Sequence, residues 1–265
     1  MRTKFYKVLS LIPHLPCMYM YITRLGTLFR FFQFFGGDIL SMIIMTYLTL
    51  KEGFVLALFD IEFAFFAVSS LFIYFVFFTL YEVGYVINDC VAIKYESRPT
   101  LRYNECDQWK YLVFSKVLFF IFLTLLAGII IHIDIYAIMF YSAVTLLVFI
   151  LHNELSVQDR VITYFWLQFM RLMVLPYAMV HNTSTLFIII LLVFPELFRR
   201  SVRYMQIKYL LKDRKFSTFD LKASLISLFM VSILICKFAF HLISALIFGY
   251  AIIVVGIVIS IHLRG

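Results

Sequence analysis

Residues 81–102 read YEVGYVINDCVAIKYESRPTLR. They close an apolar run over 62–87 and then change character, with Asn88, Asp89, Lys94, Glu96, Arg98 and Arg102 close together. Polar groups gathered at the end of such a run mark the place where a helix leaves lipid for headgroups and water. The fold and the candidate chemistry both hang on this junction.

The rest of the chain is equally apolar. Of its 265 residues 64% are hydrophobic, 19% aromatic and only 14% charged. The mean hydropathy is +0.99. A soluble domain has about a quarter of its residues charged, so too little polar surface remains here to cover a water-exposed globule. Apolar runs recur at 38–58, 62–87, 111–133, 135–151, 161–180, 184–198, 219–238 and 240–262. Each is read as a membrane span, the short 184–198 run continuing as a helix into RRSVRYMQIKYLL. This predicts an all-α, polytopic membrane helix bundle of about eight or nine transmembrane helices, one domain over 1–265.

Residues 1–36 form a basic N-terminal segment. Pro13, His14 and Pro16 interrupt its apolar stretch, and no small-residue cleavage site follows, which argues against a signal peptide. An amphipathic helix on the membrane surface is expected, with Arg2, Lys4, Lys7, Arg24 and Arg30 facing headgroups. The cysteines Cys17, Cys90, Cys106 and Cys236 are scattered without a CxxC pair, and neither a metal knuckle nor a disulfide framework is expected.

The net charge of +8 is distributed unevenly. Lys94, Arg98, Arg102 and Lys110 follow the second run; Arg199, Arg200, Arg203, Lys208, Lys212, Arg214 and Lys215 follow the sixth. The alternate loops are poor in basic residues. Basic loops lie on the cytoplasmic side, so both termini are expected in the cytoplasm and the protein in a membrane. Richness in Ile, Phe, Lys and Tyr points to an AT-rich bacterial genome, hence a bacterial inner membrane. No nucleic-acid partner is expected.

Topology accounts for many of the basic residues but not for the carboxylates. Glu82, Tyr85, Asp89 and Glu96 are spaced by three, four and seven residues, and Asn88 precedes Glu96 by eight. On a helix such spacings share a flank. Mg²⁺ takes hard oxygen ligands and shares carboxylates with substrate phosphates. Asn88, Asp89 and Glu96 are therefore candidate Mg²⁺ ligands, with Lys94, Arg98 and Arg102 as candidate phosphate contacts. A solvated helix end laced with salt bridges is the alternative.

GYVINDCVAIKYESRP resembles the first Asp-rich motif of the UbiA superfamily of intramembrane prenyltransferases, N-D-x-x-D-x-x-x-D at the cytoplasmic end of the second helix. Asn88 and Asp89 match, Glu96 replaces the last Asp, and Ala92 replaces the middle one. The second rich loop follows the sixth span, where that family carries its second motif. Arg171 matches a family arginine in the fifth helix, and the resemblance covers nearly the whole chain. It implies a UbiA-like fold, an integral-membrane transferase, and a polyprenyl phosphate or diphosphate held with Mg²⁺ at the cytoplasmic face. The acceptor would be lipid-soluble or phosphorylated. A branch of the family instead transfers phosphoribose to a polyprenyl phosphate for cell-envelope glycans.

The second motif departs further from the family. FPELFRRSVRYMQIKYLLKDRK has no carboxylate pair at i,i+4; Glu196, Arg200, Arg203 and Tyr204 share a face instead, with Arg199 beside them. A second metal is not expected there. Arg199, Arg200 and Arg203 are candidate phosphate contacts, since guanidinium groups bind phosphate oxygens bidentately. Binding to anionic lipid headgroups is the alternative. Arg171, mid-run and ionisable, is expected to face a cavity, and with Asp89 it is the candidate catalytic residue. Lys116 and Lys222 lie near span ends, where a lysine stem snorkels to the surface. A non-catalytic relative that binds polyprenyl phosphate or another anionic lipid is a reading of a different class.

Overall fold

The computed structural model describes residues 12–51, 58, 60–91, 106–156 and 159–207. The two runs expected at 219–238 and 240–262 lie outside them, as do Arg2, Lys4 and Lys7. Every regular element among the described residues is helical. A 3₁₀ turn, Ile12–His14, precedes a short helix α1, Met18–Met20, which widens into a π-helical turn, Tyr21–Leu25. Then come α2, Leu28–Phe34, a second π-helical turn, Phe35–Leu40, and α3, Ser41–Leu50. The longer helices are α4, Ile61–Cys90; α5, Trp109–Ile131; α6, Ile135–Glu154; α7, Arg160–Met179; and α8, Thr183–Ile207.

Among the described residues five helical stretches are long and apolar enough to cross a membrane: Arg30–Leu50, Ile61–Cys90, Cys106–Ile131, Ile135–Glu154 and Arg160–Met179. They coincide with the first five expected runs, with shifted ends. The first begins earlier than 38, which puts Asp38 inside it. Helix α8 is as long, but Glu196, Arg199 and Arg200 interrupt its apolar stretch. The surface is inverted relative to a soluble protein. Phe65, Phe140 and Tyr136 are 70%, 68% and 85% exposed, while Glu82 and Lys116 are fully buried. Hydroxyls inside the helices need partners that lipid lacks. Thr79, Thr124, Thr145 and Ser201 donate to the carbonyls of Phe75, Phe120, Tyr141 and Leu197, each one turn back, which satisfies them locally.

The chain divides into two compact units. The first comprises residues 1–32 and 71–154. In it α5 ends at His132, in the left-handed conformation with φ 57°, a common way to stop a helix. Asp134 then accepts from the Ala137 amide at 3.1 Å and starts α6. Gly84 of α4 lies against the Phe149 ring of α6, so close that any Cβ would overlap it. Tyr81 and Tyr85 meet the same ring edge-on, with centroids 4.7 and 5.6 Å away. Tyr19 packs with Val86 and Leu112. Residues 14–24 are thus built into this unit, and Arg24 turns inward to Asp89 rather than outward to headgroups. Cys90 and Cys106 form a disulfide with Cα atoms 5.2 Å apart. This corrects the reading that scattered cysteines pair with nothing: the fold brings the end of α4 to the start of α5, which sequence spacing does not reveal.

The second unit comprises residues 33–70 and 155–265. Helix α3 packs on α7 and α8, which also pack on each other. The Tyr47 ring lies tilted against those of Phe63 and Phe66, with centroids 5.2 and 5.0 Å away. Tyr164 of α7 and Tyr204 of α8 lie face to face at 4.2 Å. Pro176 and Pro195 sit inside α7 and α8, where each removes one backbone donor from the helix ladder.

Candidate functional site

In the first unit Asp89 stands in the last turn of α4. A carboxylate there faces the negative end of the helix dipole and needs compensation. It has it on both oxygens. Arg24 donates to Oδ1 at 2.7 Å and the Asn88 amide to the same oxygen at 3.1 Å, while the Tyr19 hydroxyl donates to Oδ2 at 3.1 Å. The Arg24 guanidinium also lies over the Tyr85 ring, 4.4 Å from its centre, which adds a cation–π contact. Its Nε is buried without a hydrogen-bond partner.

Two turns earlier, Glu82 accepts from the Cys17 and Met20 amides at 3.0 and 2.6 Å and from Lys116 Nζ at 2.5 Å. It caps α1 from another helix, satisfying amides that a helix start leaves open. Lys116 also donates to the Leu15 carbonyl. Lys116 therefore does not snorkel: it is fully buried and paired with Glu82. The reason is the carboxylate on α4, whose ion pair with the ammonium also lets both hydrogen-bond the N-terminal backbone. Burial first, then the Glu82 carboxylate, hold the Cys17 thiol above its ordinary range, so it is not a ready nucleophile.

The second unit carries a separate charged cluster. The π-helical turn Phe35–Leu40 holds Asp38, which pairs with Arg171 of α7 and with Arg200 of α8. Arg200 also donates to the Gln168 carbonyl at 2.9 Å and, through Nε, to Glu196 at 2.7 Å. Arg199 grips Glu196 with two bonds, at 2.7 and 2.6 Å. Arg171 stacks over the Phe34 ring at 4.7 Å, and its Nε is buried without a partner. Its side chain is 14% exposed.

The fold thus gathers Arg171, Arg199 and Arg200 with Glu196 in one cluster, and leaves Arg203 exposed on the same helix. Asn88 and Asp89 are adjacent and bonded to each other. Lys94, Glu96, Arg98 and Arg102 lie outside the described residues. Among the described residues no group of three His, Cys, Asp or Glu is placed to hold a metal ion. The donors at Asp89 do not fit a divalent cation: a guanidinium already sits on its carboxylate and would repel a metal there.

Sequence reasoning missed Asp38 and Tyr19. Asp38 was hidden at the start of an apolar run, yet two arginines in apolar helices require a buried carboxylate somewhere. That demand was the available signal. Tyr19 carried none, since one tyrosine among 17 is not distinctive. Compared with family models, with curated proteins and with solved structures, the chain matches none of them.

Proposed function

We propose that the chain is an integral-membrane transferase of UbiA type that binds a polyprenyl phosphate or diphosphate through the arginine cluster of its second unit. In this reading the chain completes a bundle of about eight spans, and an acceptor, lipid-soluble or phosphorylated, receives the transferred group. The observation that carries it is a concentration of guanidinium groups. Among the described residues Arg171, Arg199 and Arg200 gather about Asp38 and Glu196 within apolar helices, where an ionised group is retained for a partner or ligand. Guanidinium groups fit phosphate oxygens in planar, bidentate fashion. They also neutralise the charge that builds on a leaving phosphate. The apolar helices around the cluster suit a prenyl tail.

Binding of the same lipid without turnover is the second reading. The occupied oxygens of Asp89 favour it, since the motif that in the resembling family holds Mg²⁺ here holds Arg24. The test uses detergent-purified protein with farnesyl diphosphate and farnesol as probes. The proposal expects farnesyl diphosphate to bind at least about tenfold more tightly than farnesol. Equal binding of the two sinks it. Release of pyrophosphate when a membrane lipid extract is added as acceptor separates transfer from binding alone.

A further inference from the structure

We infer that Arg24 is a built-in cation at Asp89, and that it makes the first unit a metal-independent binding site for a phosphate group. The inference concerns a different unit from the cluster above and does not depend on it.

Three observations converge. First, the position beside the Asp89 carboxylate is filled from the chain itself. Arg24 holds Oδ1 at 2.7 Å, Asn88 donates to the same oxygen, and Tyr19 donates to Oδ2. A divalent ion there has to displace a charged, hydrogen-bonded guanidinium. Second, that guanidinium is held rigidly. Asp89 fixes one nitrogen and the Tyr85 ring lies 4.4 Å from its centre. Its backbone lies in the π-helical turn Tyr21–Leu25, whose neighbouring helix is capped by Glu82. A pre-positioned guanidinium loses little entropy on binding an oxyanion. Third, the group is incompletely used. Arg24 Nε is buried and has no partner, and a buried N–H of this kind calls for an acceptor.

The second unit repeats the device. Arg171 is held by Asp38, stacks on Phe34 at 4.7 Å, and leaves its Nε buried without a partner. Among the described residues, a carboxylate, an aromatic ring and an unused Nε–H thus surround one arginine in each unit. Any phosphate-bearing molecule offers the matching acceptor, whether a lipid headgroup or a free phosphate.

The test measures pyrophosphate binding in EDTA, and Mn²⁺ binding by electron paramagnetic resonance, on the full chain in detergent. A second copy of each measurement on the Arg171→Gln background lowers the contribution of the other unit. On that background we expect pyrophosphate to bind without metal, and Mn²⁺ binding to be unchanged by Asp89→Asn. Arg24→Gln should weaken pyrophosphate at least about tenfold and create Mn²⁺ binding that Asp89→Asn abolishes. Arg24→Lys keeps the charge on Asp89 but has no Nε–H. It should still exclude Mn²⁺ while losing pyrophosphate, and as a conservative change it guards against a folding artefact. Mn²⁺ bound by the Arg24-containing protein and lost in Asp89→Asn overturns the proposal. So does metal-free pyrophosphate binding that both Arg24 variants leave intact. A lipid source and a free source are told apart by farnesyl phosphate, which outcompetes pyrophosphate only if the site opens to the membrane.

Discussion

Glu82 and Lys116 show how much a single buried pair can organise. Both are fully buried, and between them they satisfy the Cys17 and Met20 amides and the Leu15 carbonyl. Removing one partner leaves the other charged in an apolar setting, which costs about 3–5 kcal/mol. Lys116→Met should therefore lower thermal stability strongly, and Glu82→Gln with Lys116→Met should cost less than Lys116→Met alone. A thermal melt in detergent reads both; a double variant worse than the single would mean the pair is not what holds Glu82. Gly84 makes the complementary point about packing. Its missing Cβ is the space that the Phe149 ring occupies. Gly84→Ala should destabilise by about 1–3 kcal/mol, and Phe149→Leu in the same chain should recover part of that. Equal melting of Gly84→Ala and wild type would contradict the close approach. Neither residue stood out in the sequence: Lys116 looked like an interfacial lysine, and Gly84 like one small residue in an apolar run.

At the scale of elements, the N-terminal stretch is the surprise. Composition marked it as a surface helix because its lysines and arginines outnumber its acids. What composition cannot show is that α4 carries Glu82 and Asp89, and α5 Lys116, in places where residues 12–25 complete them. One joint of this docking is sensitive to pH. The single hydroxyl proton of Ser115 goes to the Leu112 carbonyl at 2.9 Å, so Ser115 accepts from His14 Nδ1 at 2.9 Å. Burial first, and then the Lys116 ammonium, lower the His14 pKa from 6.5. The docked state thus prefers the neutral ring, while an undocked His14 takes a proton near its ordinary pKa. By linkage, docking is strongest above that value and weakens as the pH falls through it toward the lowered one. Hydrogen-exchange protection over residues 12–25, taken relative to the intrinsic base-catalysed rate at each pH, should be lower at about pH 5.5 than at about pH 7.5, and His14→Gln should flatten the difference. Protection that is higher at the lower pH would reverse the assignment.

For the whole molecule, the apolar runs were legible because a lipid-crossing helix must satisfy its own backbone and so needs an unbroken apolar stretch. Among the described residues five of those runs are membrane-length helices. The spacing of Glu82, Tyr85 and Asp89 also placed them on one flank, and each of them contacts residues 17–24. The partners were not legible. Asp38 meets Arg171 and Arg200 across more than a hundred residues of chain, and no local periodicity encodes such a meeting. The proposed phosphate site rests on the guanidinium groups of that cluster. Arg171→Gln removes one of them and leaves Arg199 and Arg200 paired with Glu196 and Asp38. The measurement to make is therefore farnesyl diphosphate binding in EDTA by Arg171→Gln against wild type, with the melting temperature of each recorded. We predict a variant that melts no lower than wild type and binds at least about tenfold more weakly. A variant that folds equally well and binds equally tightly would contradict the account, because Arg171 would then hold no phosphate oxygen.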